Sequence, residues 1–179
     1  ALVAADSIKL KNAISLVYKR GLFMESSQKG SMFAILNLDL SLIKDICNEV
    51  SLTTGLIVSP ANINSPNQIV IAGNEEAALV VADRCKEAGA KRCIQLKVGA
   101  ASHCMLMKAA SESLLAELTL IHFNKLSIPI IHNYDASIDS SSINLVDKLT
   151  SQLTCPVKWI DTMNLIKEFN GIIIECGPG

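Results

Sequence analysis

Apolar positions recur along the chain in two periods. Residues 6–24 carry a helical spacing, with Leu10, Ile14 and Val17 at i, i+4 and i+7, and Asp6 or Ser7 is placed to cap the start. Lys19-Arg20-Gly21 lies near the end, where a basic residue complements the helix dipole. After the polar stretch Ser26 to Gly30 the pattern tightens. Met32 to Leu36 reads as a strand. Asp39 caps a helix with Leu42, Ile43, Ile46, Cys47 and Val50 on one face. Leu56 to Val58 and Gln68 to Ala72 are strands, Asn74 caps a helix running through Leu79 to Ala88, and Lys91 to Val98 is a further strand. Beyond it a helix is expected with Met107, Leu114, Leu118 and Ile121 near one face. Then come a strand-like run from Pro129 to Tyr134, a polar loop from Ser137 to Ser142, and a helix from Asn144 to Leu153 burying Leu145, Val146, Leu149 and Leu153. A connector from Pro156 to Trp159 precedes a helix from Ile160 to Phe169 and an apolar strand from Gly171 to Cys176, of the sort buried on both faces of a parallel sheet.

The order βαββαβ over residues 31–98 is the ferredoxin-like pattern. Strand–helix alternation on either side of it predicts an α/β fold. The chain therefore divides into a ferredoxin-like subdomain at 31–98 and flanking segments, 1–30 and 99–179, of a second unit. The connection between the two middle strands, Ser59 to Asn67, is nine residues, long for a hairpin. Asn and Pro are turn formers, so ordinary turn chemistry accounts for it. The functional alternative is a loop that presents Asn62 and Asn64 to one site, with Gln68 joining them.

Composition narrows the class. Half of the 179 residues are apolar and the mean hydropathy is +0.36, enough for a buried core. No apolar run is long enough to span a bilayer. A net charge of −1 offers no general attraction to nucleic acid or anionic lipid, so neither is expected as a partner. Cys47, Cys85, Cys93, Cys104, Cys155 and Cys176 show no metal-ligand spacing, and no signal peptide is visible. A reduced, cytoplasmic protein without a metal is the expectation. The chain opens without Met and stops at Gly177-Pro178-Gly179, which suggests part of a larger protein.

One histidine stands at the centre of the pattern. In Val98-Gly99-Ala100-Ala101-Ser102-His103-Cys104-Met105-Leu106-Met107 a strand-like run empties into small residues and a helical pattern follows. Catalytic side chains project from such junctions because rigid elements hold them on both sides. Taken alone, His103 reads first as a capping or packing histidine, and Arg20 as a solvated base in a last helical turn.

Several motifs together resemble the malonyl-CoA:acyl-carrier-protein transacylase family. They are Leu16-Val17-Tyr18-Lys19-Arg20-Gly21, Ser59 to Pro66, Gln68 to Gly73, Ala88-Gly89-Ala90-Lys91-Arg92, Ser102 to Met107, Gln152 to Trp159 and Glu175 to Gly179. The resemblance covers essentially the whole chain. It implies an α/β-hydrolase-like acyltransferase core with an inserted ferredoxin-like subdomain. It also implies ping-pong transfer of malonyl from coenzyme A, through a serine, to the phosphopantetheine thiol of acyl carrier protein. By the resemblance His103 is the general base and acid, Gln152 orients it through a backbone carbonyl, and Arg20 pairs with the malonyl carboxylate. Asn62, Asn64, Gln68 and Ser102 become substrate-binding positions, and Lys91 and Arg92 a carrier docking pair. No cofactor is required beyond the phosphopantetheine that the partner carries. As bare chemistry, Lys91 and Arg92 are equally a solvated pair at an edge strand.

The pattern departs from the family at one point. The Gly-His-Ser-x-Gly elbow and the N-terminal Gly-Gln-Gly are absent, and no Gly-x-Ser-x-Gly occurs in the 179 residues. Ala1 to Ala5 looks like the helix that follows the elbow. The competing readings are a binding module for an acyl group or a carrier protein, without catalysis, and the acyltransferase domain of a polyketide synthase. The chain by itself is expected to be inactive.

Overall fold

The computed structural model describes residues 1–169 and 171–177. Helix α1 (Leu10–Glu25) leads into a four-stranded antiparallel sheet made of β1 (Ser31–Leu36), β2 (Val58–Ser65), β3 (Gln68–Gly73) and β4 (Arg92–Gln95), in the spatial order β2-β3-β1-β4. Helix α2 (Leu40–Thr54) follows β1 and α3 (Glu75–Glu87) follows β3. Ser31 pairs with Gly73 and Leu36 with Gln68, while Leu36 also faces Arg92 on the other side.

Both faces of the sheet are covered, which is why β1 and β3 read as unbroken apolar runs. Phe33, Ile35, Ile69 and Ile71 pack beneath Ile43, Cys47 and Val50 of α2 and Ala78, Val81 and Cys85 of α3. Met32, Ala34, Val70 and Ala72 point the other way, onto Leu106, Met107, Ala110, Leu114 and Leu118. Those residues belong to a 3₁₀ turn (Met105–Met107) and helix α4 (Lys108–Leu118). A hairpin of β5 (Ile130–Ile131) and β6 (Ile138–Asp139), helix α5 (Leu145–Ser151) and helix α6 (Trp159–Ile166) complete the described elements.

Asp39 caps α2 as expected, accepting from the Ser41 N–H at 2.7 Å, and Gly55 closes the helix at φ +71°. Asn74 does not cap α3 with its side chain; its Oδ1 accepts from the Ile57 N–H at 2.8 Å. Gly30 is required by close approach. A Cβ there would lie 2.2 Å from the Gly73 carbonyl oxygen and 2.7 Å from Leu106 Cδ1, so its absence lets the 101–106 segment settle onto the start of β1.

Several sequence expectations are corrected. The first helix starts at Leu10, because residues 1–7 form a separate turn. Asp6 takes φ +57° and the Ser7 N–H reaches the Leu2 carbonyl, so these two residues close that turn instead of capping α1. Leu10, Ile14 and Val17 are exposed; α1 instead lays Leu16, Phe23 and Met24 against the core beneath the sheet. The nine-residue connection does not exist. Strand β2 continues through Asn62 and Asn64 to Ser65, leaving Pro66 and Asn67 as the turn. Pro60 is tolerated because β2 is an edge strand. Two register shifts absorb the irregular sequence, and Val157 completes the edge with a parallel bridge to Asn62.

Strand β4 is shorter than Lys91 to Val98, and an irregular stretch separates it from His103, so the strand does not run directly into the helix. Of the Pro129–Tyr134 run only Ile130 and Ile131 pair, and their partners, Ile138 and Asp139, lie in the segment expected as loop. The apolar strand at Gly171 to Cys176 is not formed: Ile172 is 92% exposed, and no neighbouring strand among the described residues offers it a ladder. The closing Gly177-Pro178-Gly179 turn lies partly outside the described residues.

Candidate active site

His103 sits between β4 and the 3₁₀ turn with φ +62°, a left-handed conformation unusual for a residue with a side chain. Short contacts hold it there. The Cys104 thiol donates to the Ala101 carbonyl at 3.2 Å, and the Met107 N–H donates to the Cys104 carbonyl at 3.0 Å. The Ser102 hydroxyl faces the Met32 sulfur at 3.7 Å. The imidazole then points at the end of α5, where its Nδ1 lies 2.7 Å from the backbone carbonyl of Gln152.

That contact sets the tautomer. A carbonyl only accepts, so Nδ1 must carry the hydrogen, and Nε2 is left with its lone pair. Burial pushes His103 below the ordinary histidine range. The Gln152 carbonyl works against this by favouring the cation, and the Arg20 charge works with it. The Cys155 backbone adds a weaker pull toward the cation; burial prevails, and the result is a neutral imidazole near pH 7, the state a general base needs.

Arg20 is half-buried, and burial alone pushes its guanidinium down. Lys19, beside it, turns the other way and pairs with Glu117 of α4 at 2.6 Å. Among the described residues no carboxylate lies within ion-pair reach of Arg20. A half-buried guanidinium near a neutral imidazole has the chemistry to accept a carboxylate. Arg20 and Gln152 border a cavity of about 420 Å³ whose walls are largely apolar, among them Leu16, Leu114, Leu118, Ile131 and Leu149.

The remaining predicted residues scatter along the sheet. Asn62, opposite Val70, shares its face with the core that packs under the 101–107 segment, and its strand is tied to Val157, five residues beyond Gln152. Asn64 lies further along β2, and Gln68 is exposed at the hairpin, opposite Leu36. Neither reaches the cavity beside Arg20. Lys91 and Arg92 are exposed beside Leu36. Ser102 touches Met32, four residues away along β1, so roughly 13 Å of strand separates the basic pair from that contact.

The residue reading missed a buried charged group. Lys148, in the middle of α5, is 8% exposed. Its ammonium lies 3.0 Å from Asp139 Oδ2 and 3.5 Å from Asp135 Oδ2, and it donates to the Ser137 hydroxyl. His132, 2% exposed, places Nε2 3.3 Å from the same Asp139 oxygen, at ion-pair distance but off the hydrogen-bonding direction. Burial and the Lys148 charge push His132 down, so the ammonium is the cation of the cluster. Burial by itself would lower Lys148 as well, but the carboxylates outweigh it and the net direction is up. One sequence signal was available: Lys148 falls at i+3 from Leu145 and i−1 from Leu149, on the apolar face of its helix.

Among the described residues no group of three or more His, Cys, Asp and Glu could hold a metal, and no helix is long and apolar enough to cross a membrane.

The fold recurs in proteins of known structure that this chain resembles. The curated relatives include the malonyl CoA-acyl carrier protein transacylases of Escherichia coli K12, 40% identical, and Bacillus subtilis, 37% identical, each matched over 100% of this chain. The chain spans 59% and 57% of those two proteins. Among solved structures, an acyl carrier protein S-malonyltransferase from Vibrio cholerae superposes with a TM-score of 0.89 at 39% identity, over 94% of this chain and 55% of that one. A malonyl-transacylase in complex with a type II PKS acyl-carrier protein superposes with a TM-score of 0.89 at 43% identity, again over 94% and 55%. No protein-family model matches the chain.

Proposed function

We propose that this chain is the base- and clamp-bearing part of a malonyl-CoA:acyl-carrier-protein transacylase of fatty-acid synthesis, a cytoplasmic enzyme. The observation that carries the reading is the pairing of His103 with the Gln152 carbonyl beside a half-buried Arg20 that has no carboxylate within reach among the described residues. The resemblance over the whole chain to proteins so named supports it. In this reading residues 1–30 and 99–179 belong to an α/β-hydrolase-like core, and 31–98 form an inserted ferredoxin-like subdomain; the strand order β2-β3-β1-β4 supports that division.

The chemistry follows from the residues. A serine hydroxyl is too weakly acidic to attack unaided, so His103 Nε2 takes its proton as the oxygen bonds to the malonyl thioester carbon. The C–S bond breaks, and coenzyme A leaves with the proton returned by the imidazolium. In the second half-reaction His103 takes the proton of the phosphopantetheine thiol. The sulfur attacks the acyl-serine, and the serine oxygen leaves with that proton. The Gln152 carbonyl holds the tautomer through both steps, as a carboxylate does in the usual triad. Arg20 grips the distal carboxylate, which acetyl lacks. No cofactor enters. The nucleophilic serine comes from residues other than these 179, which contain no Gly-x-Ser-x-Gly.

Asn62, Asn64 and Gln68 line the approach on the sheet face that looks toward α4 in this reading, and Ser102 supports the His103 turn. A carrier docked on Lys91 and Arg92 would reach the site only through an extended arm.

The test joins this chain to the elbow-bearing segment of the Escherichia coli relative and measures malonyl transfer to acyl carrier protein. Transfer is expected, with His103→Ala lowering it by a factor on the order of 10² or more. A folded chimera without transfer overturns the reading. The missing serine favours a second reading, that the chain alone only binds: incubated with malonyl-CoA, the 179 residues form no covalent adduct in an intact mass spectrum.

A further inference from the structure

We propose that Lys148 is a positioning residue for His103: its buried cluster with Asp135, Asp139 and Ser137 fixes α5 so that the Gln152 carbonyl, one turn further on, meets the imidazole. Helix α5 has only seven residues, too few to hold its own shape in water. Its orientation must come from tertiary anchors. Leu145 fixes the first turn in a small apolar cluster with Ala5 and Leu126, and the Ser111 hydroxyl donates to the Thr150 carbonyl from α4. Val146, Leu149 and Leu153 pack against the core beneath the sheet, and Lys148 is the charged anchor in the middle.

The geometry connects the ammonium to the imidazole in two steps. Lys148 reaches across to the β5–β6 hairpin through Asp135, Ser137 and Asp139, while Ser137 and Asp135 also lock each other, hydroxyl to carboxylate at 2.9 Å and N–H to carboxylate at 3.1 Å. On the backbone, the Lys148 carbonyl accepts from the Gln152 N–H at 3.2 Å, and the Gln152 carbonyl faces His103 Nδ1. A rotation or slide of α5 therefore moves the orienting carbonyl directly. Burying an ammonium among two carboxylates is expensive, and an apolar residue on this face would pack as well. Direction is what the ions add, since they fix one rotation of the helix where an apolar contact would accept several.

The importance of the device to catalysis rests on the base role proposed above; the geometric claim does not. The readout is accordingly the imidazole itself, in the 179-residue chain, by ¹⁵N-detected titration of its three histidines. Lys148→Met is expected to lower the His103 titration midpoint, because a carbonyl that favours the cation has moved away. The Nδ1–H tautomer is expected to give way to a mixture. The same substitution removes the charge that presses on His132, so His132 is expected to rise. Lys148→Arg is expected to restore both. The double variant Lys148→Met/Asp139→Asn, which removes the cation together with one anion, serves if the single variant unfolds. A folded variant whose His103 midpoint and tautomer match the parent overturns the proposal. Loss of the fold in both Met variants overturns it as well, since the cluster then serves the whole structure. Failure of the transacylase chimera while these shifts appear would remove the function and leave the positioning intact.

Discussion

Helices α1 and α2 carry comparable apolar stripes and meet opposite surroundings. In α2 the stripe, Ile43, Ile46, Cys47 and Val50, is buried against β1 and β3. In α1 the residues at helical spacing, Leu10, Ile14, Val17 and Tyr18, are each more than half exposed, and a different face, with Leu16 and Arg20, turns inward. The sheet and its two helices close their own core within residues 31–95. The flanking segments do not, yet they carry Arg20, His103 and Gln152, the groups of the proposed site. Periodicity reports that a helix has a face to bury; whether anything lies opposite is decided elsewhere in the chain.

The contrast is tested most sharply by paired truncations. Ile43→Ala in α2 is expected to cost about 2–5 kcal/mol in urea unfolding, from lost burial and the cavity left behind. Ile14→Ala in α1 is expected to stay within about 0.5 kcal/mol. Equal losses would mean that the exposed stripe is covered in solution. Next in size is Gly30→Ala, at the seam between the two regions. The added methyl meets the Gly73 carbonyl and the Leu106 side chain, and a cost of about 1–3 kcal/mol is expected, with amide shifts centred on 101–106. Shifts confined to β1 would show that the seam does not support the His103 turn.

Smaller effects come from the titrating groups in the flanks. His103 and His132 are both pushed below the ordinary range of about 6.5, so the unfolded chain binds protons more readily than the folded one. Stability is therefore fully present above that range and is lost as pH falls through it toward the folded values. Thermal melts between pH 8 and pH 5 check the direction, and His103→Asn is expected to reduce the slope. The finest test is Arg20→Ala. It removes a charge that disfavours the imidazolium, so the His103 midpoint is expected to rise. No movement would place the guanidinium too far away to sense the base.

Legibility in the sequence follows the same division. Met32 to Leu36 and Gln68 to Ala72 announced themselves because both faces of those strands are buried within the chain. Asp39 worked as a cap because its interaction is local. The β2 strand was hidden because Ser59-Pro60-Ala61-Asn62-Ile63-Asn64 has turn chemistry, and only its edge position, with Val157 alongside, makes it a strand. His103 and Gln152 are 49 residues apart, and nothing in either local pattern pairs them; the resemblance supplied that link and the 2.7 Å contact agrees with it. Lys148 was passed over because a lysine is expected in water, and its partners are fixed by a hairpin too short to read.

The backbone of His103 has a consequence for how that position can change. A left-handed residue with a Cβ costs roughly 1 kcal/mol relative to one without strain, and Gly or Asn relieves most of it. Selection for a robust fold alone would move position 103 toward those two residues. Histidine there stands against that drift, and the substitution that removes the imidazole with least backbone strain is Asn rather than Ala. Were the base role proposed above not needed, His103 would be among the cheapest positions to give up and, once replaced, among the least favoured to regain.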